Sequence, residues 1–167
     1  MIIIDSQSVK TDHYGEEQDY DGYKQGKGRK RPSAVDTRGF RLFVVVTCAA
    51  PRDAEGGQAL CDTIQEKVPR VKNVLVDSAY RGQLLEYVAR WCRFVVEVVA
   101  KSPGQKGFQV QPWRWIVERT FGWFIWYRRL SKDYERTVDS SETMVKITSI
   151  RMMLRRLEKS AFPVFYF

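Results

Sequence analysis

A chain of 167 residues, 44% apolar and 29% charged, is about one domain long and composed like a globular protein, which excludes a disordered segment and a scaffold that depends on disulfides. No apolar stretch approaches the roughly 20 residues that span a bilayer. The three cysteines (Cys48, Cys61, Cys92) and the single histidine, His13, lack the spacing of a zinc finger or of a nucleophile–histidine pair, while a net charge of +8, from 28 basic against 20 acidic residues, points to a polyanionic partner.

In chain order, residues 1–5 read as a short buried strand, three isoleucines ending on Asp5. That start has no basic lead-in and no small-residue cleavage site, so no secretory signal is expected and no membrane partner. Residues 6–31 are polar and carry Gly15, Gly22, Gly26 and Gly28, the composition of a long loop. Residues 33–35 and 40–49 flank Asp36-Thr37-Arg38-Gly39 and read as a β-hairpin. Residues 56–67 place Ala59, Leu60 and Ile64 at helical spacing, residues 71–76 form a short strand ending on Asp77, and residues 82–91 read as a helix. A β-branched strand is expected over 94–100, a Gly/Pro loop over 101–112, and a helix over 113–130. The last helix is expected over 140–159, started by the Ser140/Ser141 cap region. A hairpin followed by alternating helices and strands implies an α/β domain over 1–159, a mixed sheet with helices on its faces, and an apolar C-terminal tail over 160–167.

Two strands end alike, as Ile4-Asp5-Ser6 and Val76-Asp77-Ser78. An acid at the carboxyl end of a buried strand sits where open α/β sheets place ligands. Two such acids side by side suit Mg²⁺, which is held by one or two carboxylates plus water and substrate phosphates. The plainer alternative is that each acid begins a loop. On the 113–130 helix, Arg114, Glu118, Gly122, Ile125 and Arg129 share one face. Glu118 is either a third acid facing metal and phosphate or half of a helical ion pair worth about 0.3–0.5 kcal/mol. The aromatic residues around it, Trp113, Trp115, Phe121, Trp123, Phe124, Trp126 and Tyr127, read as core first and as base-stacking platforms second. From residue 24 to residue 41 the chain carries Lys24, Lys27, Arg29, Lys30, Arg31, Arg38 and Arg41 against Asp36 alone. That run is either a phosphate-binding segment or a solvated loop. The cysteines read as inert apolar groups.

Four segments together resemble the catalytic domain of bacterial insertion-sequence transposases of the DDE type, in the group related to insertion sequence five. They are Ile4-Asp5-Ser6-Gln7-Ser8-Val9-Lys10; Gly26-Lys27-Gly28-Arg29-Lys30-Arg31 with Val35-Asp36-Thr37; Asp77-Ser78-Ala79-Tyr80-Arg81-Gly82; and Trp115 to Trp123 running into Tyr127-Arg128-Arg129-Leu130-Ser131-Lys132-Asp133-Tyr134-Glu135. The resemblance implies a ribonuclease H-like sheet with helices on both faces. It implies Asp5, Asp77 and Glu118 as a catalytic, metal-binding triad, with two Mg²⁺ or Mn²⁺ ions serving DNA strand cleavage and strand transfer. Arg114 matches the arginine of the family's tyrosine-arginine-glutamate-lysine signature, whereas Gln111 and Ile125 stand at its tyrosine and lysine positions, leaving Lys132 as a substitute for the lysine. DNA contacts are expected from Lys24, Lys27, Arg29, Lys30, Arg31, Arg114, Arg129 and Lys132. The implied partners are double-stranded DNA (transposon ends and target), further copies of the chain on that DNA, and a helix-turn-helix region supplied by an upstream reading frame. The implied location is the bacterial cytoplasm, at the nucleoid. A nuclease of the same fold and a non-catalytic DNA-binding remnant are the alternatives.

Overall fold

Successive isoleucines of the first strand point to opposite sides of one sheet, and that alternation divides the hydrophobic core in two. Ile2 and Ile4 pack with Leu60, Ile64, Leu84 and Val88, whereas Ile3 packs with Ile116, Val117, Phe121, Leu130 and Val145. The computed structural model describes residues 1–12, 19–21, 26–49, 53–99 and 113–161. Its strands are β1 (Ile2–Lys10), β2 (Asp19–Asp21), β3 (Gly26–Asp36), β4 (Arg41–Val44), β5 (Thr47–Cys48), β6 (Asn73–Asp77) and β7 (Val95–Val99). Its helices are α1 (Asp53–Lys67), α2 (Gln83–Trp91), α3 (Arg114–Ile125), α4 (Arg128–Ser131) and α5 (Val138–Ala161).

The main path of the sheet runs β2-β3-β1-β6-β7. β3 is antiparallel to β1 along the whole of β1 and also pairs with β4 and β5, while β6 runs parallel to both β1 and β7. α1 and α2 cover one face of the sheet; α3, α4 and α5 cover the other. This is the mixed α/β sheet with helices on both faces, in the ribonuclease H-like order. Among the described residues no helix is long and apolar enough to cross a membrane.

The expected hairpin forms between β3 and β4. Asp36 closes it, its Oδ1 accepting from the backbone N–H groups of Arg38 (2.9 Å) and Phe40 (2.8 Å). Gly39 there has φ of +82°, a conformation that glycine adopts without penalty.

Four expectations are corrected. Residues 6–31 are not one long loop: β1 continues to Lys10, so Asp5 lies inside the strand rather than at its end, and Ser6 through Lys10 pair with residues 32 down to 28 of β3. Sheet pairing overrides the weak strand propensity of Ser6, Gln7 and Ser8. The strands approach so closely that a Cβ at Gly28 would lie 2.1 Å from the Val9 carbonyl oxygen. The 113–130 helix breaks at Trp126 and Tyr127, the latter extended, so Arg129 sits on α4 and leaves the face shared by Arg114 and Glu118. α5 begins at Val138; Thr137 Oγ1 accepts from the Ser140 N–H at 3.2 Å, and Ser141 is buried rather than capping. Finally, Phe121 and Phe124 are core, but Trp113, Trp115 and Trp126 are exposed, Trp126 to 87%. The loop expected over 101–112 and most of the 160–167 tail lie outside the described residues, and residues 160 and 161 end α5.

Candidate active site

Strand parity aims the acids of β1 and β6 at one place. Asp5 lies two residues beyond Ile3 and Asp77 two beyond Leu75, on the sheet face that carries α3. β1 and β6 pair in register at Ile2–Val74 and Ile3–Leu75, and the same register continued brings Asp5 level with Asp77. Asp5 Oδ1 accepts from the Ser6 N–H at 2.8 Å. Asp77 caps the 3₁₀ turn Ser78–Tyr80, its Oδ1 accepting from the Ala79 N–H and the Ser78 hydroxyl. In each case the second oxygen is turned elsewhere.

That oxygen meets Arg114, the first residue of α3. The guanidinium lies 3.5 Å from Asp5 Oδ2, 3.2 Å from Asp77 Oδ2 and 3.3 Å from Glu118 Oε1. Glu118 follows Arg114 by one helical turn, which explains that pairing locally; the contacts to β1 and β6 come from the packing of α3 across the sheet. Trp113, immediately before Arg114, has φ of +67°. A left-handed conformation at a bulky non-glycine residue costs about 1–3 kcal/mol, and it falls where α3 is aimed at the acids. Asp5, Asp77 and Arg114 are about one-fifth exposed or less, while the Glu118 side chain is half exposed, so the cluster has a floor and an open solvent side.

Burial is the main influence on Asp5, and it pushes the carboxyl up to about 6 from the usual 3.8. Its Ser6 hydrogen bond and Arg114 oppose that rise, and the charges of Asp77 and Glu118 add to it. One arginine therefore does not neutralise the site. The donor set consists of carboxylate oxygens alone, the chemistry of a hard divalent cation. As they stand, the acids are spread around the guanidinium, and among the described residues no group of three or more acids, cysteines or histidines is drawn close enough to hold an ion.

The basic residues divide sharply. Lys27 and Lys132 are exposed and Lys30 is half-buried. Arg129 is exposed and ion-paired with Glu135. Lys24 lies outside the described residues. Arg29 and Arg31 are corrected: both are buried and committed inside the protein, where a DNA phosphate does not reach. Arg29 donates to the carbonyls of Glu135 (2.8 Å) and Arg136 (2.7 Å), and Arg31 to the carbonyl of Leu130 (3.0 Å). Each also pairs with the buried carboxylate of Asp133 at 3.4 Å. Asp133 is a centre that the pattern of charges along the chain does not single out. The available signal was its position as an acid after three basic residues in Arg128-Arg129-Leu130-Ser131-Lys132-Asp133. The cysteines are free thiols. Burial pushes Cys61 up to about 12 and raises Cys92, which disfavours the reactive thiolate at both.

The strand order, with acids on two adjoining parallel strands and on a helix packed across them, puts the protein in the ribonuclease H-like class. More narrowly, the transposase DDE domain family matches residues 1–153, and the chain belongs to that family, the DDE-type transposases of insertion sequences. It is similar to a putative transposase for insertion sequence element IS402 from Burkholderia cepacia, 28% identical over 127 residues, which cover 72% of this chain and 60% of the relative. The chain thus matches about 60% of that relative's length.

Proposed function

We propose that this chain is the catalytic domain of an insertion-sequence transposase, with residues 1–159 as the catalytic unit and Asp5, Asp77 and Glu118 as its metal-binding acids. The observation that carries the reading is the meeting of three carboxylates, from β1, β6 and α3, around the single guanidinium of Arg114. Those acids suit two Mg²⁺ or Mn²⁺ ions, which when bound supply an activated water and charge stabilisation for in-line displacement at phosphorus. Asp5 and Asp77 hold one oxygen each with local donors and turn the other to the Arg114 guanidinium, whose place a cation would share or take. Arg114 keeps the acids together, and its planar fork suits a phosphate oxygen as well as a carboxylate. Chemistry of this kind needs neither a histidine base nor a thiolate, consistent with a chain whose one histidine is His13.

Double-stranded DNA is the proposed substrate, as transposon ends and as target. The exposed Lys27 and Lys132, together with Lys30 and Lys24, contact its phosphates, which position the duplex without reading its sequence. End recognition is assigned to a helix-turn-helix region encoded upstream, and copies of the chain assemble on the DNA in the cytoplasm, at the nucleoid. The group related to insertion sequence five is the proposed subfamily, on the segments quoted above.

The test is a cleavage and strand-transfer assay on duplexes bearing the element's ends, with Mg²⁺ or Mn²⁺. Asp5→Asn, Asp77→Asn and Glu118→Gln should each abolish both steps while leaving DNA binding intact. Cutting without joining would favour the nuclease alternative, and binding without cutting the remnant. Unchanged cleavage in any of the three variants would remove that residue from the triad.

A further inference from the structure

We propose that the pocket where α3, α4 and α5 meet binds an unpaired nucleotide of the DNA, with its base on Trp126 and neighbouring phosphates on Arg128, Arg151 and Arg155. The inference rests on the reading of DNA as substrate and adds a site that the acidic cluster does not include. The pocket is an open depression of about 500 Å³, within the size range of sites that hold small organic ligands. Tyr127 and Met152 line it beside the indole, and no acidic residue does.

Two observations define the occupant. The first is Trp126. The break between α3 and α4 leaves this side chain 87% exposed, an arrangement that burial would disfavour for so large an apolar ring. An indole at a pocket mouth offers a π-face, and base–aromatic stacking is tolerant of sequence because every base has one too. The second is charge. Arg128, Arg151 and Arg155 are exposed and make no ion pair among the described residues, whereas Arg129, next in the chain to Arg128, is paired with Glu135. Three uncompensated guanidiniums beside an aromatic platform match a phosphate backbone carrying a base. Bases in an intact duplex are already stacked on one another, so the exposed indole selects an unpaired nucleotide.

The placement agrees with the proposed chemistry. Along α3 the rise from Arg114 to Trp126 is about 18 Å, some five base steps of B-form DNA at about 3.4 Å each.

The experiment measures binding of the full chain, in EDTA, to three DNAs: a paired duplex, the same duplex with one bulged adenine, and that duplex with an abasic residue in the bulge. The wild-type chain should bind the bulged adenine most tightly. Trp126→Ala should weaken that complex about 10-fold to 100-fold and leave the other two unchanged, and Trp126→Phe should restore most of the loss. Replacing Arg128, Arg151 and Arg155 by Gln should make the salt dependence of log K shallower by about 2–3 on every DNA. Equal losses on all three DNAs with Trp126→Ala, or none, would overturn the inference. If in that case the paired duplex is still bound, and still cut when metal is added, only the pocket assignment falls. If the wild-type chain binds none of the DNAs, the reading of DNA as substrate falls and takes the pocket with it.

Discussion

Arg114 stands among three carboxylates, from β1, β6 and α3 itself; Asp133, beside the outer part of β1, stands between two guanidiniums. The two clusters are near inversions of each other in charge, yet they differ in closure. Asp133 is fully buried and accepts from the Ser141 hydroxyl and the Glu135 N–H besides its arginines, and its own backbone N–H bonds the Lys10 carbonyl at 2.8 Å. The surplus positive charge of Arg29 and Arg31 is spread over backbone carbonyls of residues 130, 135, 136 and 137. Arg29, Arg31 and Asp133 are all buried, so this cluster fastens the segment between α4 and α5 to the sheet. The Arg114 cluster has more acid than base, one open side, and a carboxyl pushed up to about 6 by burial. A charged cluster buried and paired within the protein is structural; one left short of cations at the surface is suited to bind them.

The comparison can be broken most directly at Asp133. Asp133→Ala leaves two buried guanidiniums without their carboxylate and should destabilise the protein by about 3–5 kcal/mol, measured by denaturant unfolding. A loss below about 1 kcal/mol, the size of a surface pair, would mean that the cluster fastens nothing.

The acidic cluster should respond to metal instead. Mg²⁺ or Mn²⁺ at 100 times its dissociation constant should add about 2.7 kcal/mol, seen as a rise in melting temperature, and Asp77→Asn should blunt it. A melting curve that does not move across millimolar metal would remove the proposed ions from this site.

Without metal, Asp5 should be a liability. Its folded-state pKa, about 6, lies above the unfolded value near 3.8, so between those values the native state holds more protons than the unfolded state. Stability from this group is present in full below about pH 4 and is lost as pH rises through 6. In EDTA at pH 7.5, Asp5→Asn should therefore be more stable than wild type by about 1–3 kcal/mol, and the gap should close toward pH 4. A gap that widens on acidification would reverse the sign assigned to the site.

The smallest effect sharpens the contrast. Arg129→Gln breaks an ion pair whose arginine is 59% exposed, and it should cost no more than about 1 kcal/mol by the same unfolding measurement. A loss comparable to that of Asp133→Ala would show that exposure does not separate the two kinds of cluster.

Much of this molecule was legible before folding. The alternation in Ile2-Ile3-Ile4-Asp5 and Val74-Leu75-Val76-Asp77 is a local property of the chain, and it determined both strands and the side of the sheet to which Asp5 and Asp77 point. The interval between Arg114 and Glu118 likewise determined their pairing, because the helical repeat does not depend on what surrounds it. Only tertiary structure decided the fates of the basic residues. Arg29, Lys30 and Arg31 are adjacent and chemically alike, but the face of β3 that carries the two arginines is roofed by the segment around Asp133, roughly a hundred residues later in the chain. Tertiary structure also decided that Ser6 to Lys10 is strand and that Trp126 is exposed. For the basic residues and for Ser6 to Lys10 the outcome turns on a partner distant in sequence, and local propensities of well under a few kcal/mol do not outweigh it.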